Sequence, residues 1–341
     1  MQVKQVAVLG GGSFGTVIAN ILADAGINTF LWMRRQEAVD EILTTHENSY
    51  YLPNIKLNKN IKPTTNLHEA ITDSDIIFIS IPSKHFLGVV REIKDYVTRD
   101  QILVSCTKGI ESEGFRLMSQ ILRDETGLAK VGVLSGPNLA KEIAERKLTG
   151  TVIASDNMLV RNTVQEALSC SYFRVYVNSD MYGVELGGAL KNIYAIASGM
   201  ASALGMGENT KSMLITRSIA EMSRFAHYMG ANPLTFLGLA GVGDLFVTCS
   251  SPLSRNFQLG QMLADGLTLI DATKKLKQTA EGINTVRLVK HKADELGIYM
   301  PIVSGLYKLM FEDKKVNEIV QDLMLGEKNS DVEFVLPRKM D

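Results

Sequence analysis

A lysine in an apolar, glycine-containing stretch is the first candidate for chemistry in this sequence. Lys191 shares one helical stripe with Gly187, Ala195 and Gly199, at a spacing of four residues. Small residues beside a lysine predict open space and therefore a ligand pocket. Burial there would favour the neutral amine, which makes a lysine a usable general acid or base. The alternative is a lysine that snorkels from a helix packed through glycine.

Two segments further along the chain carry an acid and an anion-binding pattern. Asp244 ends the sequence G-V-G-D at residues 241–244, which predicts a flexible loop that carries a carboxylate. Ser254, Arg255 and Asn256 precede an amphipathic stretch at 257–264, so the serine is predicted to cap a helix. A helix start with a serine and an arginine is a plausible cradle for a small anion. The alternative is ordinary capping beside a solvated arginine.

The N-terminal glycine cluster predicts a dinucleotide site. Residues 10–15 read G-G-G-S-F-G, follow an apolar strand at 6–9 and open a helix at 16–25. In such a motif Gly10 allows a tight turn, Gly12 lets a pyrophosphate approach the backbone, and Gly15 lets the helix pack on the strand. The N–H groups and the dipole of the helix then attract the phosphates.

The end of the second predicted strand favours NADP over NAD. An NAD-binding fold usually places an acid about 20 residues beyond the glycines, to hold the ribose hydroxyls. Here Arg34 and Arg35 occupy that place, and no acid precedes Glu37. Two arginines suit the 2′-phosphate of NADP through charge-assisted contacts. NAD remains possible, and a solvated basic strand end is the alternative.

Two further strand ends are candidates, because ligands of open α/β sheets bind at the carboxyl ends of the strands. Lys108 follows a strand at 101–106 and is suited to hold a substrate phosphate or the cofactor. Gly136 ends the strand at 131–134 and can offer a backbone N–H to an anion. A lone lysine after a strand is otherwise usually a solvated charge.

The elements that must position these residues alternate in the first half of the chain and are helical in the second. Alternating strands and helices predict an α/β domain with a parallel sheet and right-handed crossovers. Prolines at 233 and 301 mark two later helix starts. We predict an α/β dinucleotide-binding domain at 1–180 and an all-α domain at 181–341. The strands are expected at 3–9, 29–32, 75–81, 101–106, 131–134, 151–154 and 173–177, with one more at 332–336 in the tail.

Composition excludes several classes of function. The 341 residues carry 36 basic and 37 acidic side chains, so the net charge of −1 gives no general attraction to nucleic acid or anionic lipid. No apolar run approaches a membrane span, and no secretory signal precedes the first strand. The three cysteines and five histidines have no metal-ligand spacing. We expect a soluble cytoplasmic protein without a metal, whose cysteines are small buried thiols.

Taken together, these motifs resemble the NAD(P)-dependent glycerol-3-phosphate dehydrogenases. The match runs in order along nearly the whole chain, and the lysine helix and the S-R-N segment are its most specific parts. Its blocks are the glycine turn, residues 48–53 ending Y-L-P, T-K-G-I-E at 107–111, S-G-P at 135–137, residues 183–192, G-D-L at 243–245 with T-C at 248–249, S-R-N at 254–256 and A-E-G at 280–282.

The resemblance implies a Rossmann domain followed by a helical domain like that of 6-phosphogluconate dehydrogenase. The expected reaction is the reversible oxidation of sn-glycerol 3-phosphate to dihydroxyacetone phosphate in the bacterial cytoplasm, which supplies the phospholipid backbone. A homodimer is the expected assembly. The nearest alternatives to this enzyme family are a ketopantoate reductase and a β-hydroxyacid dehydrogenase. Both also place a lysine on the linking helix but lack the S-R-N anion site. A regulator that binds NADP without turnover is a further alternative.

The resemblance also implies roles for individual residues. It makes Lys191 the proton acceptor, with Asp244 beside it. Substrate positions are Lys108, Gly136, Asn138, Lys191, Asp244, Ser254, Arg255 and Asn256. Cofactor positions are Ser13, Phe14, Arg34, Lys108, Ala140, Arg255, Thr279 and Glu281, which join Gly10, Gly12, Gly15 and Arg35 from the motifs above. The chain departs from the family at Asn138-Leu139, where Ser or Thr followed by Phe is common, and at Phe14, where Trp or Tyr is usual.

Overall fold

The fold is taken from a computed structural model, which describes residues 2–276 and 280–326. The chain divides into two compact units, Met1–Glu185 and Leu186–Asp341. The first unit is an α/β layer structure and the second is helical. The strand expected at 332–336 lies outside the described residues.

An eight-stranded sheet forms the core of the N-terminal unit. Its strand order is β3-β2-β1-β4-β5-β6-β7-β8, and the first six strands follow the order of a dinucleotide-binding sheet. The central strands are wholly buried, as expected for parallel strands covered by helices on both faces. The strands are β1 Gln5–Leu9, β2 Asn28–Trp32, β3 Ile61–Thr64, β4 Ile76–Ile79, β5 Ile102–Ser105, β6 Val131–Ser135, β7 Thr149–Ala154 and β8 Phe173–Asn178.

The sheet differs from the sequence-based expectation in two respects. Strand β7 pairs antiparallel with β6 and the other pairs are parallel, so the predicted parallel sheet carries one antiparallel pair that the sequence did not indicate. Strand β3 was missed because Pro63 interrupts its apolar pattern. It pairs with β2 at one edge of the sheet, where a proline that cannot donate to the ladder is tolerated.

Helices connect the strands of this unit. The first of them begins at Ser13, three residues earlier than predicted, so it starts directly after the glycine turn. The helices are α1 Ser13–Asp24, α2 Gln36–Thr45, α3 Leu67–Ile71, α4 Ser83–Ile93, α5 Met118–Thr126, α6 Ala140–Ala144 and α7 Met158–Leu168.

The described part of the second unit is built from helices and helical turns. Pro233 and Pro301 stand at the first turn of their segments, as predicted. The α-helices are α8 Met181–Ala203, which begins in the first unit, α9 Glu208–Tyr228, α10 Asp244–Ser250, α11 Arg255–Ala264, α12 Leu269–Leu276, α13 Gly282–Leu296, α14 Pro301–Phe311 and α15 Val316–Leu325. A 3₁₀ turn at Pro233–Leu237 and a π-type turn at Leu239–Gly243 precede α10. Within 2–276 and 280–326, no helix is long and apolar enough to cross a membrane.

A buried carboxylate ties three helices of the second unit together. Glu221 on α9 accepts hydrogen bonds from the backbone N–H groups of Ile302 (2.6 Å) and Val303 (3.4 Å), so it caps α14. Its second oxygen accepts the hydroxyl of Tyr194 on α8 at 3.2 Å. Burial raises the pKa of Glu221 to about 7, although these backbone donors act in the opposite direction.

This raised pKa predicts that the stability Glu221 contributes to the helical unit falls as the pH rises. The folded state binds the carboxyl proton of Glu221 more tightly than the unfolded chain, in which the pKa is near 4.5. The stability that this proton contributes is therefore fully present below pH 4.5 and lost by about pH 7. The difference corresponds to on the order of 3 kcal/mol. Urea unfolding from pH 4.5 to 7.5 should show a smaller decline for Glu221→Gln than for the unmodified protein. Glu166→Gln, at an exposed site, is the control, and an unchanged decline in Glu221→Gln would contradict the prediction.

Candidate functional site

The glycine turn after β1 has the geometry of a phosphate-binding turn. Gly10 has a φ of +121°, and a Cβ there would lie 2.2 Å from the carbonyl oxygen of Ser80. A Cβ on Gly15 would lie 2.0 Å from the carbonyl oxygen of Gly10, which is the close helix–strand contact expected of this position. At Gly12 nothing lies within 4 Å of the added Cβ. The turn is therefore tight on its inner side and open at Gly12, at the N-terminus of α1.

Four further predicted cofactor residues follow β2 or begin α1. Arg34 and Arg35 follow β2 and are exposed. Among the described residues, Arg34 has no hydrogen-bond or ion-pair partner. Ser13 begins α1 and its hydroxyl donates to the carbonyl oxygen of Tyr51 at 3.0 Å, while Phe14 packs partly buried against the core of the unit.

The carboxyl ends of β4, β5 and β6 bring a second group of predicted residues together. Lys108 Nζ donates to the carbonyl oxygen of Gly136 at 3.1 Å, so the two predicted positions are in contact. The Thr107 hydroxyl donates to the carbonyl oxygen of Ile81 at 2.8 Å and joins the ends of β4 and β5. These bonds position a half-buried lysine at the edge of the sheet where ligands bind in this class of fold.

Two buried polar atoms, one at the end of β6 and one in the loop that follows, have no hydrogen-bond partner in the described structure. They are Ser135 Oγ and Asn138 Oδ1. The amide nitrogen of Asn138 donates to the hydroxyl of Thr151 at 2.9 Å, which in turn donates to the carbonyl oxygen of Ser135. Unpaired buried acceptors are costly, and such atoms in a ligand-binding loop are suited to a ligand's hydroxyl or a water. The departure from the family pattern at Asn138 thus leaves a polar group in the predicted place.

A buried ion pair lies in the helical unit. Lys191 on α8 is 6 % exposed and donates through Nζ to Oδ1 of Asp244, which is 1 % exposed. The same nitrogen donates to the hydroxyl of Thr248 at 2.9 Å, and that hydroxyl donates to the carbonyl oxygen of Asp244 at 2.6 Å. Lys191 and Asp244 were predicted to meet. The snorkelling alternative was wrong, because the lysine head is inside the unit.

Two expectations about the surroundings of Lys191 were wrong. A Cβ on Gly187 would lie 2.9 Å from the carbonyl oxygen of Ala240, and one on Gly199 would lie 2.0 Å from that of Phe257. These glycines admit neighbouring backbone and leave no open space at their own positions. The segment before Asp244 is not a flexible loop either. It forms the π-type turn Leu239–Gly243, which passes directly into α10.

The S-R-N segment forms the predicted capped helix start. Ser254 caps α11, and its hydroxyl accepts the N–H of Phe257 at 3.3 Å. Arg255 follows as the first helical residue and is exposed. The side chain of Asn256 is engaged within the unit: its nitrogen donates to Asn192 Oδ1 at 2.9 Å and its oxygen accepts the N–H of Gly282 at 3.0 Å.

The remaining predicted cofactor residues are dispersed. Ala140 begins α6 in the N-terminal unit and is half-buried. Glu281 precedes α13 in the helical unit, and its carbonyl oxygen accepts the hydroxyl of Thr285 at 3.0 Å. Thr279 lies outside the described residues.

Sequence reasoning gave no individual role to three residues that organise these sites, although each lies in a block that carries the family resemblance. Thr248 holds Lys191, Asn192 holds Asn256, and Asn48 donates through its side-chain nitrogen to the carbonyl oxygen of Gly11 (3.0 Å) and the hydroxyl of Thr16 (2.9 Å). The sequence does contain an indication for Thr248. It lies four positions after Asp244, and this spacing places the two residues on one face of a helix.

The cysteines show one departure from expectation. Cys106 and Cys249 are buried, and burial raises the pKa of each thiol to about 12. Cys170 is exposed, so the expectation of three buried thiols was wrong for it. Within 2–276 and 280–326 no group of three or more His, Cys, Asp or Glu side chains is arranged to hold a metal ion.

Two family models match the chain. Residues 5–160 match the N-terminus of NAD-dependent glycerol-3-phosphate dehydrogenase, and residues 180–321 match its C-terminus. A protein from Alcanivorax borkumensis, named glycerol-3-phosphate dehydrogenase [NAD(P)+], is 55 % identical over 97 % of this chain and 96 % of its own length. One of the same name from Acinetobacter baylyi is 57 % identical over 98 % and 93 %.

Solved structures give the same result at the level of the fold. The glycerol-3-phosphate dehydrogenase of Coxiella burnetii is 34 % identical, covers 95 % of this chain and 99 % of its own, and superposes with a TM-score of 0.90. A ketopantoate reductase from Ralstonia eutropha superposes over 94 % of this chain and 99 % of its own, but with a TM-score of 0.59 and 15 % identity. That second likeness concerns the fold alone.

Proposed function

The chain belongs to the NAD-dependent glycerol-3-phosphate dehydrogenase family, and from that premise we propose that it reversibly oxidises sn-glycerol 3-phosphate to dihydroxyacetone phosphate with NAD(P)+. The observation that carries the chemistry is the buried ammonium of Lys191, held by Asp244 and Thr248. We assign the cofactor to residues 1–180 and the proton transfer to residues 181–341.

The glycine turn and the two arginines fit a nicotinamide dinucleotide. The open position at Gly12 and the N–H groups at the start of α1 would hold the pyrophosphate, since the first turn of that helix carries no acid. Arg34 and Arg35 would hold the 2′-phosphate, so we favour NADP(H), with NAD(H) as a second cofactor. When bound, the nicotinamide supplies the hydride in reduction and takes it in oxidation.

Lys191 supplies the proton that accompanies the hydride. In the direction of reduction, its Nζ–H donates to the carbonyl oxygen of dihydroxyacetone phosphate while the carbonyl carbon gains the hydride. The product is the secondary alcohol, and the amine left on Lys191 is reprotonated from solvent. Asp244 stabilises the ammonium form and Thr248 fixes the direction of the N–H bonds. Oxidation uses the same atoms in reverse.

The substrate phosphate is assigned to the start of α11. Arg255 offers a charged fork, and the N–H groups at a serine-capped helix start favour an anion. On the family resemblance we also assign Lys108, Gly136, Asn138 and Asn256 to the substrate. Ser13, Phe14, Ala140, Thr279 and Glu281 are assigned to the cofactor on the same basis, and Lys108 and Arg255 to both ligands.

A spectrophotometric assay tests this proposal. The purified protein should consume NADPH, and more slowly NADH, in the presence of dihydroxyacetone phosphate, with loss of absorbance at the nicotinamide band. Ketopantoate and dihydroxyacetone, which lacks the phosphate, are the discriminating controls. Turnover of ketopantoate alone would assign the chain to the reductases that share its fold. NADPH binding without turnover of any of the three would indicate a regulator.

Cellular context and assembly follow as parts of the same proposal. We assign the enzyme to the cytoplasm, where it supplies glycerol 3-phosphate for phospholipid synthesis, and propose a homodimer as the active form. Sedimentation at concentrations used in the assay measures the assembly, and a monomer with full activity would remove the dimer from the proposal.

A further inference from the structure

A short turn after α2 is anchored to the glycine turn. The carbonyl oxygen of Asn48 accepts the N–H groups of Tyr51 (3.1 Å) and Leu52 (2.8 Å), which closes residues 48–52 into what we call the 48–52 turn. Asn48 is 1 % exposed, and its side-chain nitrogen donates to Gly11 and Thr16 beside the pyrophosphate position. Leu52 is buried as well. One end of the turn is thus fixed to the N-terminus of α1.

Two more bonds fix the rest of its backbone. The N–H of Ser49 donates to the carboxylate of Glu41 on α2 at 3.2 Å. The carbonyl oxygen of Tyr51 accepts the hydroxyl of Ser13 at 3.0 Å. The backbone of Tyr50, the residue between these two contacts, is therefore held from both sides although the residue is 57 % exposed.

The ring of Tyr50 lies against one of the two arginines after β2. The guanidinium carbon of Arg35 is 5.0 Å from the centre of this ring, within the distance of a cation–π contact. The ring of Tyr51 approaches the same tyrosine edge-on, with centroids 4.8 Å apart at 84°. An exposed arginine otherwise samples many rotamers, and a ring that supports its guanidinium reduces the entropy lost when an anion binds.

We propose that Tyr50 is a specificity-determining residue that positions Arg35 for the 2′-phosphate of NADP(H). The inference rests on the proposed function, because it needs the arginines after β2 to read that phosphate. The proposed role of Tyr50 concerns only the 2′-phosphate, the group that distinguishes NADP(H) from NAD(H). Because the ring is proposed to act through its contact with Arg35, its removal should raise the KM for NADPH and spare the KM for NADH.

Steady-state kinetics with both cofactors test this. In Tyr50→Ala we expect the KM for NADPH to rise about 2- to 5-fold, the range of an exposed cation–π contact, with the KM for NADH and both kcat values unchanged. Tyr50→Phe keeps the ring face and should keep the KM for NADPH of the unmodified protein. Tyr50→Leu keeps an apolar side chain without a π-face, so its KM for NADPH should rise as in Tyr50→Ala. Tyr96→Ala, at a similarly exposed tyrosine in the same unit, is the matched control.

A double-mutant cycle with Arg35 completes the test. If the ring acts through Arg35, Tyr50→Ala should add nothing in an Arg35→Ala background. An additive effect there, an equal rise in both KM values, or no change in Tyr50→Ala would each overturn the inference. An equal rise would indicate that the ring contacts the adenosine common to both cofactors. All of these outcomes leave NADH turnover measurable, so they are distinct from a failure of the proposed function.

Discussion

In Lys191→Ala, kcat for dihydroxyacetone phosphate reduction is expected to fall about 10²- to 10⁴-fold, the usual loss when a general acid or base is removed. The side chain is buried, and its ammonium is directed by Asp244 and Thr248. The two groups that contact its nitrogen are poor replacements, since Asp244 is a carboxylate and the Thr248 hydroxyl already donates to the backbone. The alkoxide must therefore draw its proton from water. The KM for the cofactor should change little, because Lys191 is not among the residues assigned to the cofactor.

Loss of activity in this variant needs a test that separates chemistry from folding. The substitution leaves the carboxylate of Asp244 buried without its counter-ion, which typically costs about 3–5 kcal/mol. A second variant that combines Lys191→Met with Asp244→Asn removes both charges and keeps the volume, so it should fold and still lack activity. Circular dichroism and NADPH binding verify that each variant is folded.

Rescue by a small amine gives a readout that a structural role would not move. Methylamine added to Lys191→Ala can occupy the space of the missing side chain and donate the proton, so kcat should rise with amine concentration and with the fraction of protonated amine. The effect should be absent in the double variant, which has no carboxylate to hold the amine. If Lys191→Ala retained kcat within a few-fold, the proton donor would have to be another group.

Local patterns sufficed where a residue and its partner lie close in sequence. Ser254 was identified as a helix cap because its partner, Phe257, is three residues away. The glycine turn was identified for the same reason, since the strand, turn and helix that give Gly10 and Gly15 their roles are contiguous. The order of alternating elements likewise implied the dinucleotide-binding sheet.

Contacts between distant segments were out of reach of such patterns. Asn48 lies 37 residues from Gly11, and only the fold shows that its side chain holds the glycine turn. The glycines beside Lys191 were misinterpreted because the same spacing fits a pocket and close backbone packing, and the partner backbones at Ala240 and Phe257 lie far along the chain. The glycines before Asp244 predict a flexible loop, whereas the chain forms a regular π-type turn there that continues into α10.

Replacing Arg255 by alanine is expected to raise the KM for dihydroxyacetone phosphate by roughly 10- to 100-fold, with a smaller effect on kcat. A hydrogen bond to a charged group contributes about 1.5–3 kcal/mol, and the phosphate is bound alike in the ground and transition states because it does not react. The position favours this role, since Arg255 is the exposed first residue of α11 behind a serine cap.

Inorganic phosphate separates this role from a general effect of charge. Inorganic phosphate should be a competitive inhibitor against dihydroxyacetone phosphate and should bind more weakly to Arg255→Ala. Its affinity should be partly restored in Arg255→Lys, which keeps the charge but not the planar guanidinium. Arg287→Ala removes an exposed arginine of α13 in the same unit. It should leave the KM for dihydroxyacetone phosphate and the inhibition constant of inorganic phosphate unchanged. An unaltered KM in Arg255→Ala would remove this residue from the phosphate site. A rise in the KM for NADPH alone would assign it to the cofactor instead, since the family resemblance gives this position to both ligands.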